Sequence, residues 1–506
     1  FVQALISLMS QGIRLYYFPY RIGSEQAARI ISVVSAVAAS CMGAFLIYLT
    51  NASFTLVPGV CVGVIFLVLL GRYLEVGIYV LLAASLLLEQ FQIFGISNII
   101  TLKIPFYLNL NLITGIGPLV MNPVELLLGL TVALWFIRVI TSRELNLRFI
   151  PNIGIAVIFL GMLLFFTGYG LAMHGDLKSA LWEIRALYYL CAMYFLVSQL
   201  IRTRLQVTIC IWIVIIAISI KGLQGCWRFF VTLGGHLGDI QAITGHEDAL
   251  FMSTMFILMV SFFFMESRKK EFWFLLATFP FSFLTFILTQ RRIAYGVFAI
   301  SVMIVILLIP RAKKILALKL FLPIIPVLML YTAVFWNSSS MLALPIQQVK
   351  SVFETGEKED TSNVYRKVEN FNLKQTIRQF PQGIGFGRKY LIIIPLAEVD
   401  FPLWDYIPHN CIYWMWAKTG FAGFIIFWLF FGTAIVQAVI NYKKMKDPYF
   451  RAVSLMVITF IASQMIVAYY DLQLTFYRNM IYLGSSMALL VSMGEIDARE
   501  EERAPG

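Results

Sequence analysis

The chain has 506 residues, 60% of them hydrophobic and 13% charged, with a mean hydropathy of +0.82. A water-soluble globular protein is nearer half apolar and a quarter charged, so this composition excludes a soluble cytosolic enzyme. The 39 Lys and Arg outnumber the 27 Asp and Glu to give +12. That excess reads as the basic decoration of cytoplasmic loops in a membrane protein and gives no argument for nucleic acid as a partner.

Residues 1–27, with Arg14, Arg21 and Glu25, read as a short amphipathic or disordered cytoplasmic lead-in without a cleavable signal peptide. Apolar runs long enough to cross the hydrocarbon core then recur along the chain, giving about fourteen candidate helices in windows of about 19 residues. The first eight lie near 28–49, 54–71, 74–93, 123–141, 150–172, 178–200, 206–224 and 249–266. The others lie near 272–289, 293–310, 317–336, 410–440, 450–470 and 476–493, with room for an interfacial turn inside 410–440. The fold class expected is an all-α polytopic membrane protein of about 12–14 transmembrane helices. Its organisation follows: transmembrane helices at 28–336 and 410–493, one large extracytoplasmic loop at 337–409, and a charged, disordered cytoplasmic tail at 494–506. Cys41, Cys61, Cys191, Cys210, Cys226 and Cys411 fall mostly inside apolar runs and show neither metal-ligand spacing nor a disulfide framework.

Sidedness comes from the short loops. Basic residues cluster at Arg138, Arg143 and Arg148, at Arg202 and Arg204, at Arg268–Lys270, at Arg311–Lys319 and at Lys443–Lys446. Counting helices puts every one of these clusters, and both termini, on one side, which the positive-inside rule makes cytoplasmic. The opposite face carries the longer connections 94–122, 225–248 and 337–409. In the last of these, Val364, Val368, Phe371, Leu373 and Ile377 are spaced for one or two amphipathic helices on the membrane surface.

An ionisable residue in or against the bilayer needs a partner, a watery cavity or a function. Here such residues map to the outer face: Arg185 within about two turns, roughly 10 Å, of its helix end, Arg291 and Arg292 at a helix junction, Arg366 and His409 in the large loop, His246-Glu247-Asp248 in the second loop, and Asp471 at the last turn. Each also has a plainer reading. Arg185 pairs with Glu183 or snorkels to headgroups, Arg291 and Arg292 grip lipid phosphates, Arg366 is a solvated charge, and His409 is a helix-capping neighbour. His246, Glu247 and Asp248 then cap the following helix, and Asp471 pairs with Arg478. The glycines of GIGFG (Gly383, Gly385, Gly387) lack the preceding strand and following Lys-Ser/Thr of a nucleotide loop. His174 and His236 are lone loop histidines. As a set, several outer-face arginines suit a pyrophosphate, because guanidinium forks bind phosphate oxygens bidentately. A neutral histidine beside them suits proton acceptance from a hydroxyl, and the start of a long helix favours that neutral form of His409. No carboxylate cluster with metal-ligand spacing stands on this face, so no metal and no cofactor is expected.

This arrangement resembles the O-antigen ligase and polymerase superfamily of bacterial envelope proteins, over roughly residues 120–495. The motifs are the arginine of LWEIRALYYL, the helix start TQRRIAYG, the loop run NVYRKVENFNLKQTIRQFPQGIGFG, and the His-Asn helix PHNCIYWMWAKTGFAGFIIFW with Gly420 and Gly423. The resemblance implies a metal-independent, inverting glycosyltransferase of GT-C-like architecture in the bacterial cytoplasmic membrane, its active site facing outward. It would move a glycan from an undecaprenyl-diphosphate-linked donor to a hydroxyl acceptor on a glycolipid, polysaccharide or protein, among membrane lipids. On this reading Arg185, Arg291 or Arg292, and Arg366 bind the donor and His409 is the base, with His246 and Glu247 added as substrate-binding residues from their place on the same face. Two positions depart from the family pattern: Lys418 stands where many relatives have an acidic residue, and Arg291 where Ser is common. A transporter or flippase for a lipid-linked anionic glycan is the alternative; it calls for internal pseudo-symmetry and midplane polar residues, and the sequence has neither.

Overall fold

The computed structural model describes residues 56–93, 96, 104–115, 120–141, 147–148, 150–238, 240, 242–267, 269–338, 340–353, 361–397 and 401–503, with isolated helical positions between 29 and 44. The expected lead-in at 1–27 and most of the first expected span at 28–49 lie outside the described residues, as do Arg143 and Arg268. All regular structure among the described residues is helical, and the chain is an all-α polytopic membrane protein. Eight of its described helices are long and apolar enough to cross a membrane, and four shorter apolar ones accompany them.

Two compact units divide the chain, one formed by 1–77 and 125–147, the other by 78–124 and 148–506. The first holds α1 (Leu56–Arg72), the opening turn of α2 (Glu75–Leu87) and nearly all of α4 (Pro123–Thr141). Within it, Arg138 Nη2 donates to the Arg72 carbonyl at 3.2 Å. A Cβ at Gly77 would meet Thr131 Oγ1 at 2.5 Å, so only glycine lets that backbone lie flush on α4.

The second unit contains every expected site residue. Its helices are α3 (Leu110–Thr114), α5 (Ile153–Ala172), α6 (Leu177–Leu200), α7 (Arg204–Trp227, closing in a π-turn), α8 (Asp248–Phe264), α9 (Lys270–Leu288) and α10 (Arg292–Leu308). They continue with α11 (Arg311–Phe321), α12 (Ile324–Phe335), α13 (Leu344–Phe353), α14 (Thr361–Gln379), α15 (Cys411–Lys444), α16 (Pro448–Ala468) and α17 (Tyr477–Arg503). The apolar window of α16 is 83% buried and that of α11–α12 only 6%, so α16 is a central post and α11–α12 lie at the periphery. The expected span 317–336 is broken at Pro323, which lacks an N–H and starts α12 afresh.

Polar residues punctuate the bundle as helix physics requires. Asp176 Oδ2 caps α6 by accepting from Ser179 N at 2.7 Å. Thr203 and Gln206 form a reciprocal capping box on α7. At one end, Arg148 pairs with Glu495 at 2.5 Å, and Arg204 with Asp447 at 2.5 Å and Glu500 at 2.9 Å. These ties correct the expectation of a disordered tail: α17 runs on to Arg503, because Glu495, Asp497, Glu500 and Glu501 each find a cationic or backbone donor.

The opposite end carries the large loop. Its two amphipathic helices, α13 and α14, are followed by a backbone strap at 381–387 that enters the bundle. There α15 breaks at Gly420 (φ 62°), freeing the carbonyls of Ala417 and Lys418 to accept from Ile384 N and Gly385 N, each at 2.9 Å. Phe386 N donates to the Phe166 carbonyl at 3.1 Å, and Phe421 N to Pro381 at 3.1 Å. A Cβ at Gly420 would meet Gln382 O at 2.4 Å. The glycines of GIGFG therefore serve close backbone packing, with the N–H groups of Gly385 and Gly387 spent on protein acceptors.

Candidate active site

His409 sits just before α15, whose first turn is capped by Asn410 Oδ1 accepting from Tyr413 N at 3.0 Å. The cap is thus Asn410, and the imidazole is left for another task. Its Nδ1 lies 3.2 Å from Glu369 Oε1, while its backbone N–H donates to Glu369 Oε2 at 2.9 Å. Glu369 is buried on α14, and the neighbouring Asn370 accepts from Asn410 Nδ2 at 2.9 Å. Consecutive residues of α14 therefore clamp consecutive residues at the start of α15. Tyr365, one turn earlier, sets its ring edge-to-face against the imidazole at 5.5 Å. Burial and the Glu369 carboxylate push the Tyr365 phenol up to about 12.

The same helix brings Arg366 toward the α9–α10 junction. Gln290 adopts a left-handed conformation there (φ 53°), and extended Arg291 precedes α10. Arg292 Nη1 donates to Ser351 Oγ of α13 at 3.0 Å, and Gln348 Nε2 to Gln290 Oε1 at 3.1 Å, so the large loop is seated on this turn. The Nε atoms of Arg291 and Arg366 are both buried without a hydrogen-bond partner, as is the Tyr365 hydroxyl. Burial, with the like charges of Arg366 and Arg292, pulls the Arg291 guanidinium below its ordinary value against the opposing pull of Asp471 and Glu247. Asp471 answers in kind. Burial pushes its carboxyl up, but His246 and Arg291 outweigh this and hold it well below the usual carboxylate range. His246 is half-exposed, its Nδ1 3.8 Å from Asp471 Oδ2, an ion-pair separation rather than a hydrogen bond.

Arg185 is buried on α6 and reaches the loop before α4, donating from Nη1 to Asn109 Oδ1 at 3.1 Å and from Nη2 to the Val120 carbonyl at 3.3 Å. The plainer reading that paired it with Glu183 is corrected. Glu183 instead meets Lys418, accepts the Gly387 N–H at 2.5 Å and accepts from Trp414 Nε1 at 3.3 Å. Lys418, the departure from the family pattern, is thereby accounted for as the counter-charge of a fully buried carboxylate. The turn Gln473–Thr475 packs on α6, α16 and α17, which sets Arg185 at the same end of the bundle as the other arginines.

The expected Asp471–Arg478 pair is also corrected. Arg478 is fully buried and donates to Glu247 at 2.7 Å and to Asp248 at 2.6 Å, while Asp471 faces His246, Gln473 and Arg291. Glu89 closes the rest of that network, meeting Lys221 at 2.5 Å and Arg228 at 2.8 Å. The carboxylate of Glu247, expected at the donor site, is thus engaged by Arg478 and touches the arginine cluster only through its charge. Among the described residues no group of three or more His, Cys, Asp or Glu is gathered to hold a metal ion.

Sequence reading missed Glu369 and Tyr365. Their signal was present: both share a face of α14 with Arg366 and Asn370 at one-turn spacing, in a segment already singled out for Arg366. It missed Glu183–Lys418 as well, although Lys418, a lone charge in an apolar run, calls for an opposite charge.

Residues 277–428 match the family model for O-antigen ligase. That segment is therefore similar to an O-antigen ligase domain. No curated protein matches the chain. The matched segment runs from within α9 into α15 and includes Arg291, Arg292, Arg366, Glu369 and His409, whereas Arg185, His246 and Glu247 precede it. Together with the membrane-spanning helices it supports a glycan-transfer role in polysaccharide biosynthesis for a multi-pass membrane enzyme of the glycosyltransferase kind.

Proposed function

We propose that the protein transfers a glycan from an undecaprenyl-diphosphate carrier to an acceptor hydroxyl at the outer face of the bacterial cytoplasmic membrane, with inversion and without a metal. One observation carries the reading: Arg291 and Arg366, like charges drawn together in a buried place, keep guanidinium N–H groups with no protein partner. Burying such donors unmade is costly, and an anion that accepts from both removes the cost. Two linked phosphates fit several forks better than one would.

In this reading Arg291, Arg366 and Arg292 hold the diphosphate and stabilise it as a leaving group. Arg185 meets the donor from the α6 side, and His246 with Asp471 forms the far wall. His409 Nε2 takes the acceptor hydroxyl proton as the oxygen bonds to the anomeric carbon. The bond from that carbon to the phosphate oxygen breaks with its electron pair on the diphosphate, and back-side attack inverts the centre.

The test is incubation of purified protein in nanodiscs with a synthetic undecaprenyl-diphosphate glycan and candidate glycolipid, polysaccharide or protein acceptors, products being read by mass spectrometry. A product with the acceptor mass raised by the glycan, formed equally with and without EDTA, is expected. Donor that crosses the bilayer but is never consumed makes the protein a transporter instead. Activity lost to EDTA and restored by Mg²⁺ or Mn²⁺ overturns the metal-free step.

A further inference from the structure

We propose that Glu369 is the positioning carboxylate of His409, fixing the imidazole so that Nε2 is the atom offered to the acceptor hydroxyl; this rests on the glycan-transfer reading above. The geometry is specific. A single carboxylate holds the ring through Nδ1 at 3.2 Å and the backbone of the same residue through its N–H at 2.9 Å. Its side chain is 2% exposed while that of His409 is 32% exposed, so the carboxylate stands behind the ring and the ring faces outward. An ionised carboxylate only accepts hydrogen bonds, which puts the proton of the neutral ring on Nδ1 and the lone pair on Nε2. Without that partner a neutral ring divides its proton between the two nitrogens, and part of the population cannot act as base.

Neighbouring contacts keep the pair in register. Asn370–Asn410 fixes the next residues on each element at 2.9 Å, and Tyr365 leans on the ring at 5.5 Å. As the hydroxyl proton moves to Nε2, the oxygen–carbon bond forms, and the carbon–phosphate-oxygen bond breaks with its electrons on the diphosphate. The imidazolium then finds Glu369 already in place, and the proton leaves Nε2 to water. Arg366, three residues before Glu369 on the same helix, makes α14 the element that aligns base and donor together.

A merely structural Glu369 would pin the loop before α15 to α14 through the backbone N–H alone. Glu369→Gln keeps an acceptor for that contact and removes the charge. The expected result is transfer reduced by roughly 100-fold, unchanged donor binding and an unchanged thermal midpoint, with Glu369→Asp recovering part of the rate. A second readout needs no turnover. The chain has four histidines, so ¹⁵N-histidine spectra assigned with His409→Gln report the His409 tautomer directly. An Nδ1–H ring in the wild type, becoming a mixture in Glu369→Ala, supports the proposal. An Nε2–H ring in the wild type, or wild-type transfer rates in Glu369→Gln, overturns it. Should the wild type make no product while the tautomer moves as expected, the positioning pair stands and the glycan-transfer reading falls.

Discussion

Two clusters of charge lie at the same end of the larger unit and are built on opposite rules. In the first, Glu89, Glu247 and Asp248 face Lys221, Arg228 and Arg478, with leftover guanidinium N–H groups donated to the carbonyls of Ser85, Leu86 and Ile243. In the second, Arg292, Arg366 and Asp471 lie near Arg291, and the Nε atoms of Arg291 and Arg366 are left over. The first is fully buried and the second half-buried, with the Nε atoms of Arg291 and Arg366 out of water, so both carry a desolvation cost. The first cluster offsets it internally and can only be structure. The second leaves part of it standing, which is what the proposed anion site calls for.

The largest effect should come from opening the closed cluster. Arg478→Met strands Glu247 and Asp248 in a low-dielectric interior, which typically costs about 3–5 kcal/mol. We expect a sharply lowered thermal midpoint in detergent, or failure to purify as a monodisperse species. A midpoint equal to wild type would erase the distinction drawn between the two clusters.

Lys418→Met tests whether the rule extends to a single pair. Glu183 would keep its bonds from Gly387 and Trp414 and lose only the cation, so a smaller cost of about 2–3 kcal/mol is expected. Adding Glu183→Gln should return much of it. Strictly additive losses across the three variants of that cycle would mean that the two side chains do not act as a pair.

How much of this was readable beforehand follows from the kind of signal each part carries. Span positions rest on runs of apolar residues and are local, so the helices from α4 to α10 fall where hydropathy puts them. The amphipathic α14 was legible for the same reason. Arg291, Arg292, Arg366 and His409 could be singled out because charge near a bilayer is conspicuous in a line of text. Their partners could not, since Glu369 and His409 are joined by tertiary packing across 40 residues, and Glu247–Arg478 across 231. Charges were thus easy to find and hard to pair, and the mistaken pairings Arg185–Glu183 and Asp471–Arg478 both chose a neighbour in sequence over a neighbour in space. Gly420 shows a second limit: a helix break inside an unbroken apolar run is dictated by the strap packed against it, not by local propensity.

Asp471 is the counter-charge that the open cluster does possess, and Asp471→Asn should cost about 1–2 kcal/mol at neutral pH. The sign follows from its depressed folded value. The contribution is full above the unfolded carboxylate pKa of about 3.9 and fades as pH falls from there toward the folded value. Wild type and variant should therefore differ by a constant amount between pH 5 and pH 8 (about the working range of the measurement) and converge in stronger acid.

The smallest change in stability, and the sharpest contrast with Arg478, belongs to Arg291→Met. Removing a guanidinium whose Nε–H the protein leaves without a partner takes away a desolvation cost and forfeits only its attraction to Asp471. The donor-free protein should melt within about 1 kcal/mol of wild type, or slightly above it. The same variant should lose the rise in melting temperature that a lipid diphosphate confers on the wild type, since binding to the folded state alone is what produces that rise. If Arg291→Met instead unfolds the protein as Arg478→Met does, the guanidinium was holding structure all along, and the surplus of donors at the α9–α10 junction has another owner than an anion.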